Sequence, residues 1–139
     1  QFKTYLEEIE GVDTDLATLR ITESWLNKTN PGEHHHTHFH GNSYLSGVLY
    51  ISCLPNDHIN FSNRMHGLCN NMEFPKKKTT IWSTPTITQN VTEGDFIIFP
   101  SWILHDVDQN MTKNMKRISF SINTFPKGKM GKPGSHLTL

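Results

Sequence analysis

Apolar residues recur at Phe2, Tyr5, Leu6 and Ile9. That three-and-four spacing predicts a short helix, with Gly11 placed to end it. From Leu16 the period changes to two: Leu19, Ile21 and Trp25 alternate with polar neighbours as far as Leu26. Asn30-Pro31-Gly32 is a turn. Downstream, β-branched and aromatic runs predict strands over Tyr44 to Cys53, Ile59 to Phe61, Thr79 to Trp82, Thr86 to Val91, Phe96 to Phe99, Trp102 to Val107 and Arg117 to Phe125. Leu54-Pro55-Asn56-Asp57 and Glu93-Gly94-Asp95 read as tight turns. Arg64 to Lys78 and Gln109 to Lys116 read as irregular polar loops. The Gly- and Lys-rich tail from Pro126 is expected to fray.

A short N-terminal helix followed by seven or eight strands predicts an all-β fold, a double-sheet jelly roll or a sandwich. The 139 residues suit one domain, 1–139, with no repeats and no linker. The last strand alternates cleanly, Ile118, Phe120, Ile122 and Thr124 on one side and Arg117, Ser119, Ser121 and Asn123 on the other. The polar side is either a solvated outer face or the lining of the barrel. In the second case a buried Arg117 requires an anion.

Charge narrows the partners. Thirteen basic residues balance thirteen acidic ones, so neither a nucleic acid nor an anionic membrane is indicated. No apolar run approaches the roughly 18 residues that span a bilayer. Two cysteines, Cys53 and Cys69, are too few for a disulfide framework, and a reducing cytoplasm is expected. The chain opens Gln1-Phe2-Lys3, without Met or a secretory segment, and is expected to begin inside a longer one.

Histidine is the anomaly. Five of the nine histidines fall in Glu33-His34-His35-His36-Thr37-His38-Phe39-His40, a tract that suggests metal binding. Residues two apart on a strand project to the same side, which His38-Phe39-His40 and His36-Thr37-His38 both satisfy. A third ligand must come from elsewhere. His105 stands out, because it is a polar imidazole inside the apolar run Phe99-Pro100-Ser101-Trp102-Ile103-Leu104-His105-Asp106-Val107. Two His and a carboxylate on one face are the usual holders of non-heme Fe(II) in oxygenases. Twelve positions later, Arg117-Ile118-Ser119 offers a guanidinium and a hydroxyl, a pair suited to a carboxylate. Tyr50 could offer its phenol to the same anion.

Taken in order, His38-Phe39-His40, Leu45-Ser46-Gly47-Val48-Leu49-Tyr50, Gly94 to His105 and Arg117 to Asn123 resemble the 2-oxoglutarate/Fe(II)-dependent oxygenases. Within them the chain looks most like a group from phages and marine bacteria. The resemblance runs from Trp25 to Asn123. It implies a double-stranded β-helix, which is a jelly roll, with iron at its mouth. It implies His105 as the distal ligand, and Arg117 with Ser119 on the distal carboxylate of the cosubstrate 2-oxoglutarate. It further implies a dioxygenase, hydroxylating a small-molecule or peptide substrate with release of succinate and CO2. A phage-borne protein of this kind would work in the host cytoplasm, and nothing in the sequence opposes a homodimer.

The sequence departs from the family at one position. Relatives use His-X-Asp or His-X-Glu, whereas here the second position is His40. Three outcomes are open: a three-His site (His38, His40, His105), a site in which His40 falls short, or a protein that binds without catalysing. Two other readings stay open with them. One is a cupin-type three-His metal dioxygenase that needs no 2-oxo acid. The other is a jelly-roll binding module without catalysis.

Overall fold

The computed structural model describes residues 1–62, 75, 77, 78, 80, 84–132 and 134–139. Its strands are β1 (Ala17–Thr29), β2 (His35–His38), β3 (Leu45–Ser52), β4 (His58–Ser62), β5 (Thr86–Asn90), β6 (Phe96–Pro100), β7 (Leu104–Val107), β8 (Arg117–Met130) and β9 (Leu137–Thr138). They form two antiparallel sheets. One has the order β1-β8-β3-β6, with β9 on the far end of β8; the other has the order β2-β7-β4-β5. This is a jelly roll, one of the two architectures the strand pattern allowed and the one the resemblance implied. Phe2–Thr4 is a turn of α-helix that widens to π-type over Tyr5–Ile9, and no helix among the described residues is long and apolar enough to cross a membrane. The expected strand Thr79 to Trp82 lies outside the described residues except for Thr80. The loop Arg64 to Lys78, with Cys69, lies outside them except for Pro75, Lys77 and Lys78.

β8 decides the character of the interior. Its polar residues Arg117, Ser119, Ser121 and Asn123 are all buried, while Ile118, Phe120 and Ile122 are only partly so. The polar side therefore lines the barrel. The inversion is tolerable because the buried groups find partners: Asn27 Nδ2 donates to Ser121 Oγ at 2.8 Å and Ser46 Oγ to Asn123 Oδ1 at 2.8 Å. On the outer face the register aligns Leu26, Phe120, Leu49 and Phe96 in one row across four strands. The N-terminal helix covers part of it, Phe2 meeting Phe96 edge to face at 5.7 Å. Gly47 makes this cover possible, since a Cβ there would come within 2.8 Å of the Phe2 ring and 2.7 Å of Phe96.

The apolar core is small. Tyr50, Ile59, Val91 and Phe99 form it, with Val48, Phe61, Ile97 and Val107 packed against them. Two expectations need correction. Trp102 does not open a strand; it sits in a turn, 68% exposed, and the strand starts at Leu104. The tail does not fray at Pro126: β8 runs on to Met130, paired with β1 through Ala17–Gly128 and then with β9. Local composition argued for a loose tail, but the length of β1 gave those residues a strand to pair with.

Candidate metal and cosubstrate site

His38 and His105 stand opposite each other on β2 and β7, and Phe61 of β4 continues the row. His40 lies just past β2, its N–H donating to Ser101 O at 2.9 Å. One ligand atom from each of the three rings lies within 4.8 Å of the other two. Two metal–nitrogen bonds of ~2.1 Å span up to about 4.2 Å, so an ion would have to draw the rings only slightly closer than that 4.8 Å bound. The three sequence-predicted ligands are thus brought together. His36 is not: it is exposed and does not border the cavity, although its ring lies 5.3 Å from that of His38.

Hydrogen bonds aim two of the rings. His38 Nδ1 lies 2.7 Å from His36 O, and His105 Nδ1 lies 3.0 Å from Ile103 O. A neutral ring that donates Nδ1–H to a carbonyl keeps its lone pair on Nε2, the form that coordinates. Burial pushes the His105 imidazole down to about 4, with the His38 and His40 rings adding to the effect against its bond to Ile103 O. His40 is also lowered, by burial first and His38 second. Neutral imidazoles at pH 7 are what a metal requires. The His40 ring is held differently. Its Nδ1 lies 3.4 Å from Asn123 Nδ2, and that amide also donates to Glu23 Oε2 at 3.3 Å.

Arg117 stands at the other end of the same cavity, whose wall includes His38, His40, His105, Tyr50 and Ser119. Tyr50 and Ser119 are cross-strand partners on β3 and β8. Burial, with the Asp57 charge behind it, raises the Tyr50 phenol far above its ordinary value, so it stays a hydrogen-bond donor. Arg117 is 5% exposed. Its anion is a residue the sequence reading did not single out: Nε donates to Asp57 Oδ1 at 3.0 Å and to Oδ2 at 2.8 Å, and Nη2 donates to Oδ1 as well. Burial works against the Asp57 carboxylate. The Arg117 bonds and the backbone N–H groups of Leu54 and His58 outweigh it and hold the pKa below the ordinary value. Arg117 Nη1 alone is left, buried and without a partner.

His35 is the second residue missed. It borders the cavity, with Nε2 3.2 Å from Thr29 Oγ1. Strict alternation would put His35 and His38 on opposite faces, but the register shifts between them, and the bulge turns both inward. No sequence signal marks that bulge. Asp57 was legible in principle, since a buried arginine demands a carboxylate and Asp57 closes a predicted turn. Sixty positions separate the two.

A sequence model of the family described as "Putative 2OG-Fe(II) oxygenase" matches residues 23–123, more than two thirds of the chain. The chain belongs to the 2OG-Fe(II) oxygenase family. No curated protein sequence matches it. Among solved structures, an oxidoreductase of the 2OG-Fe(II) oxygenase family from Burkholderia pseudomallei is similar over 87% of this chain and 48% of its own, at 11% identity and TM-score 0.60. A Pseudomonas putida prolyl-4-hydroxylase is similar over 87% of this chain and 59% of its own, at 16% identity and TM-score 0.53. HygX from Streptomyces hygroscopicus, with nickel and 2-oxoglutarate bound, is similar over 77% of this chain and 57% of its own, at 12% identity and TM-score 0.51. At such identities the likeness is one of fold. The chain spans about half the length of the first of these structures.

For a 2OG-Fe(II) oxygenase the residues present fit both groups. Three clustered imidazoles, two of them with Nδ1 turned to a backbone carbonyl so that Nε2 is left for coordination, suit a divalent transition metal. The orphaned Nη1 of Arg117 at the other end of the cavity suits a carboxylate.

Proposed function

We propose that the protein is an Fe(II)- and 2-oxoglutarate-dependent dioxygenase that hydroxylates a small-molecule or peptide substrate. The observation that carries the reading is one cavity with a three-imidazole cluster at one end and a buried, partnerless guanidinium nitrogen at the other. A 2-oxo dicarboxylate has matching ends: a chelating 2-oxo acid and, further along, a second carboxylate. When bound, the iron and 2-oxoglutarate supply the oxygen-activating chemistry, at the expense of oxidising the cosubstrate to succinate and CO2.

The chain's own residues bind and orient. His38 and His105 hold the metal, their rings fixed by the carbonyls of His36 and Ile103. His40 is the third ligand and stands where relatives carry a carboxylate. Arg117 anchors the distal carboxylate through Nη1, with the Ser119 hydroxyl and the Tyr50 phenol beside it on the wall. Trp25, whose ring centroid lies 5.7 Å from that of His40, borders the metal end and is placed to meet substrate. The narrower grouping with phage and marine-bacterial proteins rests on the sequence resemblance.

The test is an anaerobic titration of Fe(II) and 2-oxoglutarate, followed by exposure to air. A visible metal-to-ligand charge-transfer band and then stoichiometric succinate are expected. Iron binding with neither band nor succinate would overturn the reading in favour of metal binding alone.

A further inference from the structure

We infer that the hydrogen bond between Thr37 and Asp106, on the outer face of the β2-β7-β4-β5 sheet, sets the spacing of the metal site from behind. The inference rests on the reading of His38 and His105 as metal ligands. It makes Thr37 and Asp106 positioning residues, since neither borders the cavity.

The strand that carries His38 is weakly held by its backbone. β2 has four residues, lies at the sheet edge, pairs with β7 alone and loses register between His35 and His38. It nevertheless presents His38 and leads directly to His40. The bonds that aim the ligand rings run to the carbonyls of His36 and Ile103, each two residues back in the same segment of chain. They orient a ring without fixing how far β2 stands from β7.

The opposite face supplies that restraint. His38, His105 and Phe61 form one row across β2, β7 and β4. The residues next to them project the other way, and they are hydrogen-bonded from one edge of the sheet to the other. Thr37 Oγ1 donates to Asp106 Oδ2 at 2.9 Å, Asn60 Nδ2 donates to Asp106 Oδ1 at 3.0 Å, and Thr88 Oγ1 donates to Asn60 Oδ1 at 2.8 Å. Asn60 is the aligned partner of both Asp106 and Thr88. Asp106 is the centre of this row. One carboxylate oxygen takes the edge strand and the other takes β4, so β2 is tied through β7 to the middle of the sheet. Asn60 is tied again, its Nδ2 donating to Asp108 Oδ1 at 3.1 Å.

The position of this brace gives it leverage on the site. Thr37 immediately precedes His38, and Asp106 immediately follows His105. The ligand atoms lie within 4.8 Å of one another, against the ~4.2 Å that two metal–nitrogen bonds span. Little slack is left, and a β2 edge that splays from β7 moves His38 the wrong way.

Co(II) is the probe, a divalent stand-in for iron whose visible absorption reports ligand number and geometry. Titrations of EDTA-treated protein compare wild type, Thr37→Val, Thr37→Ser and Thr88→Val. Thr37→Val keeps the branched shape and deletes the hydroxyl. It is expected to weaken Co(II) binding at least about threefold and to alter the absorption bands, a smaller effect than the tenfold or more typical of groups bonded directly to a ligand. Thr37→Ser restores the donor and is expected to match wild type in both readouts. Thr88→Val breaks the same row at its far edge, away from β2. It is expected to lower the urea midpoint as Thr37→Val does while leaving Co(II) affinity and spectrum unchanged. Wild-type affinity and spectrum in Thr37→Val would overturn the inference. So would an equal loss of Co(II) affinity in Thr88→Val, which would make the row a support of the fold alone. The ligand reading fails separately, if His105→Ala binds Co(II) as tightly as wild type with the same spectrum.

Discussion

His38 and His105 face each other across the β2–β7 pair with ring centroids 4.3 Å apart. Each is tied through Nδ1 to the carbonyl two residues before it in sequence. The shared arrangement makes them equivalent candidates for a metal, and His40, whose Nδ1 lies instead 3.4 Å from Asn123 Nδ2, is the odd member. His38→Ala and His105→Ala should each abolish iron retention. His40→Asp should retain iron and retain or increase succinate release, because a carboxylate lowers the charge on the metal complex. Iron content of the three purified variants decides it. Loss of iron in His40→Asp as complete as in His105→Ala would mean that the backbone at this position serves only an imidazole.

Deleting Arg117 should have two separate consequences. Arg117→Ala removes the anchor and strands a buried carboxylate. The 2-oxoglutarate dissociation constant of metal-loaded protein should rise at least about tenfold. Stability should fall by roughly 3–5 kcal/mol, the usual consequence of leaving one partner of a buried pair uncompensated. Calorimetry and urea denaturation measure the two effects; an unchanged constant would remove Arg117 from the cosubstrate site.

Acid should destabilise the metal-free protein before it reaches the carboxylate range. His105 titrates at about 4 in the fold against 6.5 in an unfolded chain. Between those values the unfolded state takes up a proton that the folded state refuses, so stability falls as pH drops from 6.5 to about 4. His40 and His35 are also lowered, both chiefly by burial, and act in the same sense. Asp57, lowered from 3.8, adds a further loss at still lower pH. His58 is raised, through Asn56 O first and then Asp108, and works the other way. Its contribution is present below 6.5 and lost as pH rises through its folded pKa; with Asp108 63% exposed, it is small. The melting temperature of EDTA-treated protein should therefore decline steadily from pH 7 to pH 4.5, and a flat profile over that range would contradict it.

Gly128 pins the end of the long β1–β8 ribbon. Its φ is +112°, and a Cβ there would lie 2.4 Å from Leu16 O and 3.0 Å from Ala17 Cα. Both are backbone atoms that cannot step aside, so Gly128→Ala should lower stability by about 1–3 kcal/mol. Metal content should be untouched, because the site lies toward the other end of the ribbon. A melting temperature equal to wild type would show that the ribbon end is loose, as the composition of the tail had suggested.

The pattern of residues alone determined most of the strands and marked the histidines that the fold brings together. Period-two runs, tight turns and an imidazole inside an apolar strand are local signals, and β3, β6, β8 and the candidacy of His105 followed from them, while spacing alone left His36 and His40 as equal companions for His38. Family resemblance singled out His38 with His40 and implied that the carboxylate expected at Arg117 and Ser119 is the distal one of 2-oxoglutarate. What the sequence left undecided was which side of β8 faces inward, because alternation fixes two faces without naming the buried one. Only the packing of two sheets settled it, by giving Ser121 and Asn123 partners on β1 and β3 and giving Arg117 the carboxylate of Asp57. The inward turn of His35 depended on a bulge opposite β7. The order of the tail depended on β1 being long enough to reach Gly128. Each of these is a contact between residues far apart in the chain, and its energy exists only once the strands between them have been laid side by side.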